Sequence, residues 1–223
     1  MSSRPRQLAL ALDHATNYAR EDFLSGPCNE APLRLIDCWP DWPANAIALI
    51  GPEGSGKTHL ATMWALAAGA RVISARALGE AGLPSALATG ALVVEEAATA
   101  ADERTLFHLI NLAREEKAFL LFTARMAPAA WPVVIPDLVS RLRALPVATL
   151  QAPDDAMLRA VLVKLAADRQ LALDESVVSY LSTHIERSFA AARSAVIALD
   201  NEALRQRRPV TRALAAEIFR DSV

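Results

Sequence analysis

The chain has 223 residues, enough for one ordinary domain and a small second one. With 53% of them apolar, a sizeable core can be buried and wholesale disorder is excluded. A formal net charge of −2 argues against a protein that coats DNA, because non-specific duplex binding needs a basic face to displace counterions.

Two cysteines, Cys28 and Cys38, are too few for a disulfide framework and match no zinc spacing. The four histidines, His14, His59, His108 and His184, are too scattered to suggest a metal site. No apolar run approaches the length needed to cross a bilayer. The stretch Leu8 to Leu12 is too short for a signal-peptide core and runs straight into Asp13. A cytoplasmic location is therefore expected.

In chain order, Gln7 to Asp13 alternates in a way that suits an extended segment. Residues 17–41 mix aromatics, prolines and polar groups and read as an ordered arm laid over a domain. Trp39-Pro40-Asp41-Trp42-Pro43 punctuates the chain, since proline disfavours helix at itself and just before itself. An α/β alternation follows. Ala46 to Ile50 is a short apolar run ending at glycine, a buried strand. Lys57 to Ala68 reads as a helix, with Gly69 placed to end it. Arg71 to Ser74 and Ala91 to Glu95 are the second and third strands. Leu106, Leu109, Ile110 and Ala113 lie on one face of a helix between Asp102 and Lys117. Ala118 to Thr123 and Pro146 to Leu150 complete a five-strand set. Beyond Asp154 strand signals vanish and three amphipathic segments remain, with Asp154, Asp174 and Thr211 as start signals. The expectation is a parallel-sheet α/β domain over residues 17–150, preceded by an arm at 1–16 and followed by a small all-helical domain at 151–223.

Gly51-Pro52-Glu53-Gly54-Ser55-Gly56-Lys57-Thr58 fits G-x-x-x-x-G-K-[ST] without mismatch, between an apolar strand and a helix. Glycines let successive N–H groups point at phosphate oxygens, and the helix adds its positive end. Lys57 would reach the outer phosphates and the Thr58 hydroxyl would hold Mg²⁺. His59, next in line, is grouped with the nucleotide-side residues. Val93-Val94-Glu95-Glu96 supplies the acidic strand end that such sites need, with Glu95 in the metal-facing position and Glu96 as candidate water-polarising base. Aspartate is usual there. The extra methylene of glutamate moves the carboxylate, so slow hydrolysis is expected.

These residues resemble the DnaA-related AAA+ proteins, specifically the Hda-type regulators of DnaA, and the resemblance spans essentially the whole chain. Gln7-Leu8-Ala9-Leu10-Ala11-Leu12 is similar to the peptide by which bacterial proteins dock on the sliding clamp, with Gln7, Leu8, Leu10 and Leu12 as contacts. Tyr18 to Phe23, with Ser25-Gly26-Pro27-Cys28-Asn29, looks like the family's adenine-side segment, which makes Tyr18 and Phe23 base-contact candidates. Thr123 falls where the family places sensor 1, near the γ-phosphate or the attacking water. Pro136-Asp137-Leu138-Val139-Ser140-Arg141-Leu142 resembles the box carrying the arginine finger. Arg141, with Arg143 as the nearby alternative, would complete a neighbouring subunit's site, where a guanidinium spreads charge over phosphate oxygens as lysine cannot. For sensor 2, Glu186 to Arg193 offers Arg187 and Arg193, Arg187 being preferred. Anchoring on Ala198-Leu199-Asp200 instead leaves Ala190 at the expected place, in which case sensor 2 is absent.

The resemblance implies a protein that binds ADP or ATP with Mg²⁺, docks on the DNA polymerase III sliding clamp, and stimulates ATP hydrolysis by DnaA through Arg141. Replication initiation would thereby be held in check. Family members are regarded as active with ADP bound, so the chain's own ATPase would be weak. A homodimer through the nucleotide interface is compatible with the AAA+ class. DnaA continues into a DNA-reading helix-turn-helix domain where this chain ends, so sequence-specific DNA binding is not expected. The alternatives are a non-catalytic DnaA-like adaptor, which would need no Arg141, and a helicase-loader or transposition-type AAA+ ATPase.

Overall fold

A computed structural model of the protein describes Arg20, residues 23–100 and residues 102–220. The chain divides into two compact units between Ala152 and Pro153. The clamp-peptide residues Gln7, Leu8, Leu10 and Leu12, and the base-contact candidate Tyr18, lie outside the described residues.

The first unit is built on five strands, β1 (Ala46–Ile50), β2 (Arg71–Ser74), β3 (Ala91–Glu95), β4 (Phe119–Ala124) and β5 (Val147–Thr149). They form one parallel sheet in the order β2-β3-β4-β1-β5. β1, β3 and β4 are central and nearly continuously apolar, as strands covered on both faces must be. One face packs against α3 (Leu83–Leu87), α4 (Glu103–Glu115) and α5 (Pro136–Ala144), through residues such as Leu106, Leu109, Leu120, Phe122 and Leu138. The other packs against α1 (Glu30–Asp37) and α2 (Lys57–Ala68) through Leu33, Ile47, Leu60, Trp64 and Leu121. On that side Trp42 stacks on Trp64 with ring centres 4.9 Å apart, and its indole N–H donates to the Leu35 carbonyl at 2.7 Å.

Two expectations are refined here. The segment read as an arm contains α1, an eight-residue helix with Pro32 in its first turn. Proline is tolerated there because the first N–H groups of a helix have no intrahelical partner. The fourth strand begins one residue later than expected, at Phe119, and runs on to Ala124. By contrast β1, α2, β2 and β3 carry the expected bounds, and Gly69 caps α2 in the left-handed conformation at φ 63°.

The second unit is all-helical: α6 (Asp155–Asp168), α7 (Glu175–His184), α8 (Phe189–Gln206) and α9 (Arg212–Phe219). There are thus four helices, not three. Asp154, Asp174 and Thr211 accept hydrogen bonds from the N–H groups of Met157, Val177 and Leu214, as helix-starting residues should. The fourth start is Ser188, whose hydroxyl accepts from Ala191 N–H at 3.0 Å. Leu158, Leu162, Val177, Leu181, Val196, Leu199 and Leu214 form the core. Arg169 pairs with Asp200 at 3.3 Å across α6 and α8, both four-fifths buried.

Candidate nucleotide site

The parallel register brings three strand ends to one edge of the sheet. Ile50 of β1 sits opposite Ala124 of β4, and Val94 of β3 opposite Phe122 of β4. The loop 51–56, the glutamates 95 and 96, and Thr123 therefore converge, although they are spread over more than seventy residues of sequence. This is the crevice at the carboxyl ends of parallel strands where α/β proteins hold ligands.

Within the loop, Gly54 and Gly56 adopt φ of 70° and 95°, which a side chain would strain. Gly51 is needed for space: a Cβ there would lie 2.5 Å from the Leu150 carbonyl oxygen and 2.9 Å from Ser55 Oγ. The Ser55 hydroxyl is buried and has no hydrogen-bond partner among the described residues. The loop opens directly into α2, whose first N–H groups face back toward it. Tight glycine turns, an unpaired buried hydroxyl and a helix amino end suit a polyphosphate. The residue types present therefore fit the nucleotide that the motif implies.

Lys57 Nζ donates to the carbonyl oxygens of Gly51 at 2.8 Å and Pro52 at 2.6 Å, folding its stem back over the loop. Its pKa is pushed below the ordinary lysine value of 10.5, first by burial and then by the nearby Arg125 guanidinium. Glu53 and Glu96 act in the opposite direction. Thr58 is exposed at the head of α2, and its carbonyl accepts from the Thr62 hydroxyl. His59, the next residue, is half-buried. Its ring meets Phe23 edge-on, with centres 5.1 Å apart, so the arm is packed against the first turn of α2. Asn29 fixes that arm: it is buried, accepts from Gly26 N–H at 2.9 Å and donates to the Leu24 carbonyl at 3.0 Å.

Glu95 ends β3 and is half-buried, whereas Glu96 is exposed and takes the left-handed conformation, φ 53° and ψ 41°. The backbone N–H of Glu96 donates to Thr123 Oγ1 at 3.2 Å. Thr123 is buried at 3% exposure. Among the described residues, no group of three His, Cys, Asp or Glu could hold a metal ion. The Thr58 hydroxyl and the Glu95 carboxylate are the side chains that could hold a Mg²⁺ ion beside the phosphates.

Arg141 lies on α5, half-buried, with its guanidinium over the Phe107 ring of α4, 5.4 Å from the centroid. Glu103 of α4 also accepts from the N–H groups of Val134 and Ile135, at 2.7 and 3.3 Å, just ahead of α5. Two side chains of α4 thus contact the segment leading into α5 and its arginine. Arg143 is exposed. In the second unit Arg187 pairs with Asp155 at 2.8 Å, immediately before the Ser188 cap of α8, and Ala190 and Arg193 lie on α8 itself. Sequence reasoning missed Arg125. It follows the end of β4, and its guanidinium bonds Glu53 of the phosphate loop at 2.5 Å. No local motif marks it; only the pairing of β4 with β1 brings it there.

A parallel five-stranded sheet in this order, a glycine-rich loop after β1, an acidic end to β3, a polar end to β4 and a separate helical unit together define the AAA+ fold. Residues 154–218 match the family described as "Hda, lid domain". The chain thus joins an AAA+ fold in its first unit to a segment, residues 154–218, that matches the Hda lid family. Domain III of the Thermotoga maritima replication initiation protein DnaA has the same fold, with TM-score 0.76 at 20% identity over 94% of this chain and 98% of that one. DnaA from Aquifex aeolicus, solved with AMPPCP, is similar with TM-score 0.66 at 19% identity, covering 83% of this chain and 66% of that one. The Thermotoga maritima RuvB branch-migration motor reaches TM-score 0.70 at 15% identity, over 90% and 70%. No curated protein matches the sequence. Among the described residues no helix is long and apolar enough to cross a membrane.

Proposed function

We propose that this protein is a negative regulator of chromosomal replication initiation that stimulates ATP hydrolysis by DnaA. The observation that carries the reading is the Hda-type lid at residues 154–218 on a core folded like DnaA domain III. In this reading Gly51 to Thr58 hold the phosphates of ADP or ATP, with Lys57 on the outer ones. Thr58 and Glu95 serve Mg²⁺, Tyr18 and Phe23 contact the base, and His59 is a further nucleotide-side residue. The metal, when bound, neutralises phosphate charge. Glu96 would polarise and Thr123 would orient a water, but glutamates at the end of β3 would leave the protein's own turnover slow.

The chemistry that matters is delivered in trans. Arg141 enters the nucleotide site of DnaA across a shared interface and stabilises charge on the transferring phosphoryl oxygens, as arginine fingers do. Gln7, Leu8, Leu10 and Leu12 tether the protein to the DNA polymerase III sliding clamp by strand-like peptide capture.

The test is ATP turnover by DnaA in the presence of clamp-loaded DNA and this protein. The intact chain should accelerate loss of ATP-bound DnaA. Arg141→Ala should abolish the acceleration while still binding the clamp, and a Gln7→Ala, Leu8→Ala double variant should lose clamp binding. DnaA turnover that is unchanged by the intact protein would rule the reading out.

A further inference from the structure

Lys57 rests on the carbonyls of Gly51 and Pro52. Since this lysine serves the outer phosphates of such loops, the 51–53 end is the outer-phosphate end. A second cation is built into that end. The Gly51 N–H donates to the Ala124 carbonyl at 3.2 Å, so the last residue of β4 is fastened to the first residue of the loop. Arg125 comes next, and its guanidinium meets the Glu53 carboxylate at 2.5 Å, with both side chains more than half exposed. A solvent-exposed pair of this kind contributes little stability and is readily exchanged for a better anion. Arg125 is also close enough to Lys57 for the two positive charges to repel.

We propose that Arg125 is a triphosphate-sensing residue, whose guanidinium exchanges the Glu53 carboxylate for the outermost phosphate of a bound nucleoside triphosphate. Glu53 is then a built-in competitor. It neutralises Arg125 when a diphosphate leaves the outer position unfilled, and a terminal phosphate carrying more charge displaces it. The guanidinium fork matches phosphate oxygens as well as it matches a carboxylate. The proposal rests on the assignment of Gly51 to Thr58 as a nucleotide site.

The experiment is calorimetric titration of the full chain with ADP and with AMPPCP, for wild type, Arg125→Ala, Glu53→Gln and the double variant. Arg125→Ala should lower the ratio of AMPPCP to ADP affinity by about tenfold, the scale of one charge-assisted hydrogen bond. Glu53→Gln should raise that ratio severalfold, and the gain should vanish when Arg125 is also alanine. Were the pair only a clip holding the loop, both single variants would weaken ADP and AMPPCP equally and leave the ratio unchanged, which overturns the proposal. Wild-type binding of both nucleotides with an unchanged ratio in every variant overturns it too, while leaving the nucleotide site standing. Wild-type chain that binds neither nucleotide removes the site and the proposal together.

Discussion

The Thr123 hydroxyl and the Glu96 backbone N–H, 27 residues apart in sequence, meet at 3.2 Å and join the ends of β4 and β3. Glu96 sits in the left-handed region, unfavourable for a residue with a Cβ, and this bond helps hold it there. The polar residue at the end of β4 thereby sets where the second glutamate points. Thr123→Val keeps the shape and removes the acceptor. It should cost about 1 kcal/mol of stability, the net value of one hydrogen bond. It should also reduce ATP turnover without weakening nucleotide binding, whereas Thr123→Ser should behave as wild type. Thermal melting, nucleotide titration and single-turnover hydrolysis check this. A valine variant that matches wild type in all three would show that the contact positions nothing.

Arg141 rests on Phe107, an attraction worth roughly 0.5–1 kcal/mol for a partly exposed pair. Such a contact orients the guanidinium without locking it, which suits the proposed reach into a neighbouring molecule. Phe107→Leu keeps apolar bulk but removes the ring face. Stimulation of DnaA should fall severalfold, with the fold and clamp binding intact. Arg141→Lys should not restore activity to an inactive Arg141→Ala protein, because a point charge lacks the planar fork. DnaA turnover assays with each variant decide it. Full activity in Arg141→Lys would remove the case for a bidentate role.

The legible parts of this chain were those with local causes. Glycines at 51, 54, 56 and 69 and short apolar runs fix β1, the loop and α2 to the residue, because turn geometry and strand burial are written into neighbouring positions. Contacts that depend on strand order were not legible from residue spacing. Arg125 and Glu53 are 72 residues apart, and only the β1–β4 register joins them. α1 was hidden by Pro32, which reads as a breaker unless it falls in a first turn. The separation of α7 from α8 was missed because residues 185–188 contain no glycine or proline; the break is made by the Ser188 cap.

Lys57 carries a pH signature. Burial and Arg125 depress its pKa below 10.5 in the protein without nucleotide, and phosphates would draw it back up. Binding therefore favours the protonated amine. Affinity for ADP should be flat at neutral pH and fall as pH rises through the depressed Lys57 pKa toward 10.5, with proton uptake on binding in that window. For folding the sign is opposite: the unfolded chain holds the Lys57 proton more tightly, so the charge penalty diminishes as pH rises through the same window. Calorimetry in two buffers of different ionisation enthalpy measures the uptake. In Lys57→Met the uptake should disappear along with most of the affinity; uptake that persists would assign the titration to another group.

Ser188 begins α8 with a buried hydroxyl on Ala191 N–H, and Arg187, one residue before it, pairs with Asp155 at the start of α6. Cap and ion pair act on the same short connection. Ser188→Ala leaves the Ala191 N–H without its partner and should cost about 1 kcal/mol. Ser188→Thr should recover most of that. The loss should be confined to the helical unit, since the Ser188 hydroxyl caps α8 within that unit. Amide exchange should quicken over the first turn of α8 and at the Arg187 turn, leaving β1, β3 and β4 protected as before. If Arg187 serves nucleotide binding as sensor 2, the same variant should weaken ADP affinity as the turn frays. Arg187→Ala should then weaken it at least as much. Unchanged affinity in both variants, with faster exchange in Ser188→Ala, would restrict Arg187 to joining helices within the lid.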